Sequence, residues 1–79
     1  MNVEQIVLDS MSKVTGLDVA ELNDIKDENL YEMGMLDSLA LVSFVTELEE
    51  KINKEVNLVD AKPEDFTSLN SIIKYIDTL

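Results

Sequence analysis

Asp37 and Ser38 form a small polar pair at the start of an apolar run, GMLDSLALV, whose spacing is typical of a helix. A serine in this place can cap the helix by accepting a hydrogen bond from a first-turn N–H group. It can also stay free in solvent and carry a covalently attached group. An attached phosphate would suit a helix start, where unpaired N–H groups and the helix dipole favour negative charge. Since Asp37 is also a favoured capping residue, the residues alone leave both roles of Ser38 open.

Most catalytic chemistry is excluded by the composition. The 79-residue chain contains no cysteine and no histidine, so the usual general base, thiolate chemistry and the commonest metal ligand are missing. A serine nucleophile would need a lysine or carboxylate base, and nothing in the sequence places one beside Ser38. The glycines, Gly16 and Gly34, fit neither a calcium-binding loop nor a glycine-rich phosphate loop. We therefore expect a protein that is not an enzyme and has no metal site.

The charge of the chain restricts its partners. Seventeen acidic residues and six lysines give a net charge of −11, which repels nucleic acid and anionic lipid and attracts basic protein surfaces. The N-terminal segment has neither a basic leader nor an apolar stretch long enough for a signal peptide or a membrane span. We therefore expect a cytoplasmic protein without membrane insertion. The length permits one domain, residues 1–79, and a hydrophobic content of 46% indicates that it folds.

Two long helices are predicted by apolar residues at three- and four-residue spacing. The first ends at Gly16. Its inward positions are Val3, Ile6, Val7, Met11 and Val14. The second begins at Asp37 or Ser38 and ends near Asn53. Its inward positions are Leu41, Phe44, Val45, Leu48 and Ile52.

The second helix carries more apolar residues than one core requires. Leu39 and Val42 fall beside its inward stripe, near Ser38, while Glu47 and Glu50 fall on its outer surface. The surplus is explained either by packing against the preceding loop or by a docking face for a partner. The sequence leaves both explanations open.

The remaining segments predict shorter elements. Residues 17–37 mix acidic and apolar residues, and we expect them to be ordered, with the apolar ones, Tyr31 and Met33 included, packed across the helices. A single turn is expected at DVAEL, capped by Asp18. Pro63 suits the first turn of a short helix. Thr67 or Ser68 then caps a last helix with inward residues Leu69, Ile72, Ile73 and Ile76. The only candidate strand, EVNLV, has no partner strand. The predicted fold is all-α, with three main helices, a short third helix and a long first loop.

The chain resembles the acyl carrier and peptidyl carrier proteins over essentially its whole length. The resemblance rests on GMLDSLALV, on DSLALVSFVTELEEKI as the second helix, and on PEDFTSLNSIIKYI as the closing pair. In that family the serine of a D-S-L signature accepts a 4′-phosphopantetheine arm. The resemblance therefore implies a four-helix acyl-carrier-like bundle with the arm on Ser38, flanked by Asp37 and Leu39. In many fatty-acid carriers a glycine lies three residues before the serine, whereas Gly34 lies four residues before Ser38. This G-x-L-D-S pattern resembles the D-alanyl carriers and several stand-alone carriers of specialised pathways.

The resemblance also implies partners. A phosphopantetheinyl transferase would modify Ser38 with coenzyme A, and the thiol of the arm would hold acyl or aminoacyl groups as thioesters. A loading enzyme would charge the arm, and later synthases or transferases with basic docking patches would receive the carried group. The pathway would be fatty-acid, polyketide, nonribosomal peptide or D-alanyl transfer. The residues implied to face these partners are Val42, Ser43, Thr46, Glu47 and Glu50, besides Asp37 and Leu39.

Purely structural roles compete with this interpretation. Val42 is equally suited to core packing, and Glu47 and Glu50 to a solvated face. For the whole chain, the alternatives are a small acidic adaptor that binds a basic protein patch without a cofactor, and an acidic metal buffer. We expect a monomeric carrier.

Overall fold

The computed structural model describes residues 2–56 and 63–78, and within these ranges the chain is helical and contains no β-strand. The described residues form four α-helices: α1 (Val3–Thr15), α2 (Val19–Asn23), α3 (Ser38–Ile52) and α4 (Leu69–Asp77). A 3₁₀ helix, Pro63–Phe66, precedes α4 and is the short helix predicted at PEDF. The predicted all-α fold with its long first loop is confirmed. Most of the candidate strand EVNLV lies outside the described residues.

Helix α1 lies at the centre of the fold and contacts α2, α3 and α4. Its C-terminal end at Gly16 is as predicted. The Asn2 side chain accepts a hydrogen bond from the Gln5 N–H group (3.1 Å), and Gly16 ends the helix in the left-handed conformation with φ 80°. Leu8 is buried although it was not among the predicted inward residues, while the predicted positions Val3, Ile6 and Val14 are only partly buried. The difference arises because α1 packs against three elements, so its buried face is not a single stripe.

One hydrophobic core joins the helices and the first loop. The longest helix, α3, buries the inward positions predicted for it, except that Leu41 is only partly buried. Helix α4 begins after Ser68, whose hydroxyl accepts from the Ser71 N–H group at 3.2 Å, so Ser68 and not Thr67 is the cap. Ile73, predicted inward, is partly buried. Among the described residues, the fully buried apolar side chains are Val7, Met11, Leu22, Leu30, Phe44, Leu48, Leu69 and Ile72.

The long first loop is ordered, as predicted, because it is fixed to the core and to the start of α4. Leu30 is fully buried, and its N–H group donates to the Thr67 carbonyl at 2.7 Å. The Asn70 N–H group donates to the Lys26 carbonyl at 3.1 Å, and the Asn70 side chain donates to the Asp27 carboxylate. Asp18 precedes α2 as expected, but its side chain makes no capping hydrogen bond. The loop therefore depends on burial and on the α4 junction.

Ser10 is an exception within the core. Its side chain is fully buried on α1, and no hydrogen-bond partner for its Oγ lies among the described residues. An unpaired buried hydroxyl loses its hydrogen bonds to water without replacement, at a cost of about 1–3 kcal/mol. The helical pattern did not single out Ser10, because a serine beside apolar residues is usually read as part of the polar face.

We expect Ser10→Ala to raise the free energy of unfolding by about 1 kcal/mol, because the substitution removes the unpaired hydroxyl. For a domain of this size that corresponds to an increase in Tm of about 4–8 °C. Ser12→Ala is the matched control on α1. The Ser12 hydroxyl donates to the Leu17 carbonyl at 2.5 Å, so its loss should lower Tm. A lower Tm for Ser10→Ala would contradict the assignment of an unpaired group.

We expect Leu30→Ala to lower the free energy of unfolding by about 2–5 kcal/mol, since it leaves a cavity where the first loop meets the core. Leu39→Ala makes the same chemical change at a side chain that is 82% exposed, and should change stability by less than about 0.5 kcal/mol. Urea unfolding of both variants measures the difference. Equal losses would show that the loop is not held at Leu30.

Candidate functional site

Asp37, not Ser38, caps helix α3. The Asp37 carboxylate accepts a hydrogen bond from the Ala40 N–H group at 2.8 Å, and its carbonyl accepts from the Leu41 N–H group at 2.8 Å. The Asp37 backbone is extended, with φ −140° and ψ −173°, so the helix begins at Ser38. The purely structural explanation of Ser38 as the cap is therefore wrong, and the serine is left without that role.

The Ser38 side chain is exposed, and its hydroxyl has no hydrogen-bond partner among the described residues. Its backbone N–H group and that of Leu39 belong to the first turn, where no carbonyl of the same helix can reach them. These N–H groups and the helix dipole favour a negatively charged group on the hydroxyl. A phosphodiester linked through Ser38 Oγ therefore fits this position.

A closed turn leads the chain into this helix start. The N–H groups of Met35 and Leu36 both donate to the Leu30 carbonyl, at 2.9 and 3.2 Å. The Asn29 side chain accepts from the N–H groups of the residues two and three positions later, Tyr31 (3.0 Å) and Glu32 (3.1 Å). We call residues 30–36 the entry turn. It is fixed at both ends, and it sets where Asp37 and Ser38 lie.

Gly34 gives the entry turn its backbone conformation. Its φ is 77°, in the left-handed region that favours glycine. A Cβ atom built there would meet no other atom within 4 Å, so space does not explain the glycine. The glycine upstream of the serine is therefore required by the path of the chain and not by a close contact.

Large apolar side chains are exposed in the segments before and after Ser38. Among the described residues the exposed ones are Tyr31 (39%), Met33 (46%), Leu39 (82%) and Val42 (56%). Leu39 and Val42 are thus outside the core, so the core-packing explanation of Val42 is wrong. Partial burial raises the pKa of the Tyr31 phenol, which therefore keeps its proton and remains a hydrogen-bond donor. The expectation that Tyr31 and Met33 pack across the helices is therefore wrong, because in this irregular segment the exposure of a side chain does not follow from its spacing.

The other residues predicted to face partners lie further along α3. Ser43, Thr46 and Glu50 are exposed, and the Thr46 hydroxyl donates to the Val42 carbonyl at 2.9 Å. Glu47 is partly buried, because its carboxylate pairs with Lys13 of α1 at 3.2 Å. The expectation that Glu47 lies on the outer surface is therefore only partly met, and Glu50 is the more accessible carboxylate.

Other kinds of site find no support in the part of the chain that the structure describes. In residues 2–56 and 63–78 no group of three or more acidic residues is arranged to hold a metal ion. Within the same ranges no helix has the length and apolar character needed to cross a bilayer. The metal-buffer alternative therefore has no geometric basis in these residues.

Comparisons with known proteins identify a family and several relatives of the chain. Residues 5–76 match the model of the family described as "Phosphopantetheine attachment site". The chain is 33% identical over 79 residues to the D-alanyl carrier proteins of Streptococcus uberis and Lactobacillus acidophilus, and these matches cover all of this chain and 96% of each relative. It is also 33% identical to the D-alanyl carrier protein of Enterococcus faecalis, with 99% of that relative covered.

We expect Asp37→Ala to lower the free energy of unfolding by about 0.5–2 kcal/mol, because α3 loses its capping carboxylate. Ser38→Ala removes a hydroxyl that makes no hydrogen bond, and should change stability by less than about 0.5 kcal/mol. Asp37→Asn keeps a capping oxygen, so its free energy of unfolding should be close to that of the unaltered protein. Chemical unfolding of the three variants tests the assignment, and a larger loss for Ser38→Ala than for Asp37→Ala would reverse it.

Proposed function

Because the chain belongs to the phosphopantetheine attachment-site family, we propose that Ser38 is the residue that receives its 4′-phosphopantetheine arm. Members of this family are carrier proteins whose cofactor is covalently attached and which are not themselves catalysts. The observation that carries the proposal is the free, exposed Ser38 hydroxyl beside a cap made by Asp37. The bound arm supplies the thiol that this cysteine-free chain lacks.

The attachment reaction uses the Ser38 hydroxyl as the nucleophile. Ser38 Oγ forms a bond to the pantetheine-side phosphorus of coenzyme A, and the P–O bond to the second phosphate breaks. Adenosine 3′,5′-bisphosphate leaves with the electron pair of that bond, and the hydroxyl proton passes to a base. The described residues offer no hydrogen-bond acceptor to the hydroxyl, so the modifying transferase supplies that base.

The cargo is D-alanine in this proposal. Its support is the identity of 33% over the full chain to proteins named D-alanyl carrier protein, together with the G-x-L-D-S pattern at Gly34 to Ser38. A D-alanyl thioester carries a positive ammonium group, which is compatible with a protein of net charge −11. The partners are then the transferase that installs the arm, an enzyme that activates D-alanine, and an acceptor enzyme.

The free Ser38 hydroxyl leads to a direct prediction. After incubation with coenzyme A and a promiscuous phosphopantetheinyl transferase, the intact mass should increase by one phosphopantetheine. Ser38→Ala should show no increase, because it lacks the nucleophile. Ser43→Ala is the matched control, since it removes another exposed serine hydroxyl of α3, and it should be modified fully. Modification of Ser38→Ala would overturn the site assignment.

The cargo is tested on the modified protein. An enzyme that activates D-alanine with ATP should add one D-alanyl group to the arm, and hydroxylamine should release it because the link is a thioester. Fatty-acyl and L-aminoacyl activating enzymes are the comparison. Modification of Ser38 followed by loading with one of these and not with D-alanine would keep the carrier function and reject the D-alanyl assignment.

A further inference from the structure

Tyr31 and Met33 expose apolar surface that the proposed attachment of the arm does not explain. They lie in the entry turn, whose backbone is closed by the hydrogen bond from the Leu36 N–H group to the Leu30 carbonyl at 3.2 Å. Ser38 follows Leu36 by only two residues, which limits their Cα separation to roughly 7 Å. Exposed apolar side chains thus occur both in the turn that leads to Ser38 and in the first turns of α3 after it.

The entry turn holds these side chains on a fixed backbone. The Met33 N–H group donates to the Asn29 carbonyl at 3.1 Å, and the Gly34 N–H group donates to the Tyr31 carbonyl at 3.1 Å. Leu30 and Leu36 are buried on either side. A surface that is already ordered loses little conformational freedom on binding, so its contacts are retained as affinity. An exposed apolar cluster on such a backbone indicates an interaction site.

The charge around the cluster has a single sign. Residues 27–50 contain no basic residue, and their acidic residues are Asp27, Glu28, Glu32, Asp37, Glu47, Glu49 and Glu50. Some are engaged within the protein: Glu47 pairs with Lys13, and Glu49 accepts from the Val56 N–H group at 2.9 Å. Glu28, Glu32 and Glu50 are exposed. A partner surface complementary to it has an apolar patch bordered by lysine or arginine side chains.

The geometry of Ser38 selects the occupant. A reaction at Ser38 Oγ requires the enzyme to bring its active site to a hydroxyl that lies on the surface of the carrier at the first residue of α3. That enzyme must therefore cover the neighbours of Ser38. An enzyme that acts on the thiol can reach it at the end of the arm and need not cover them.

We propose that Tyr31 and Met33 of the entry turn form, together with Leu39 and Val42, the surface that binds the phosphopantetheinyl transferase. This inference rests on the proposed function of Ser38. Tyr31 contributes a rigid ring with a hydroxyl that stays protonated, a type of side chain enriched at interface centres. Met33 contributes an unbranched thioether side chain that adapts to the shape of its partner.

The test is the steady-state kinetics of arm transfer from coenzyme A by a promiscuous phosphopantetheinyl transferase, with the carrier as the varied substrate. Tyr31→Ser and Met33→Ser should each raise KM for the carrier by about fivefold or more with little change in kcat, because they remove binding contacts and leave Ser38 intact. Met33→Leu keeps an apolar side chain and should retain the KM of the unaltered protein. Ala20→Ser, at an exposed apolar residue of α2 outside the cluster, is the control and should also retain it.

The outcomes separate the two proposals. If the unaltered protein gains no arm, the proposed function fails. If every variant is modified with an unchanged KM, the carrier function stands and the entry turn is not part of the docking surface. If Met33→Leu raised KM as much as Met33→Ser, the proposed apolar contact would also be rejected. Circular dichroism melting of each variant, completed before the kinetics, ensures that only folded protein is compared.

Discussion

The position of the site depends on Leu30. Its side chain is fully buried, its N–H group donates to Thr67 ahead of α4, and its carbonyl accepts from both Met35 and Leu36. One residue thereby joins the core, the last helix and the turn that leads into α3. Without it the loop would keep its hydrogen bonds to Asn70, but the turn before α3 would lose its hydrogen bond to Thr67 and one of its buried side chains. The exposed Ser38 hydroxyl owes its location to a buried leucine eight positions earlier.

The surface is organised differently from the core. Lys13 pairs with Glu47, and Lys26 pairs with Glu4, so these two lysines join α1 to α3 and the first loop to α1. Exposed pairs of this kind contribute only about 0–1 kcal/mol each. Neither lysine lies within residues 27–50, a range that contains no basic residue and keeps Glu28, Glu32 and Glu50 exposed. Stability comes from the core, while we propose that this acidic surface and the exposed apolar side chains select the partner.

Much of the fold follows from local rules in the sequence. Gly16 ends α1 and Ser68 caps α4, and the stripe through Phe44 and Leu48 orients α3; each depends on residues a few positions apart. Long-range facts were not predictable in this way. The pairing of Lys13 with Glu47 joins residues 34 positions apart, and the burial of Ser10 depends on the several elements that surround α1.

The site itself was predicted in part. Local rules placed Asp37 and Ser38 at the helix start but could not decide between them, because both residue types are favoured caps. The hydrogen bond from the Ala40 N–H group to Asp37 decides it. The exposure of Tyr31 and Met33 was not predicted, since an irregular turn has no period from which exposure can be inferred. Their position became evident only once the closure of the turn on Leu30 was known.

The cap on Asp37 also affects how modification relates to folding. Esterifying Ser38 breaks no hydrogen bond within the described residues, because its hydroxyl makes none there. An arm attached to Ser38 would therefore take no hydrogen bond from the fold, while its phosphate would gain the favourable field of the first turn of α3. The proposed modification should thus leave the fold intact and raise its free energy of unfolding slightly. On that basis, the arm and its cargo are the features by which an enzyme would distinguish a loaded carrier from a bare one.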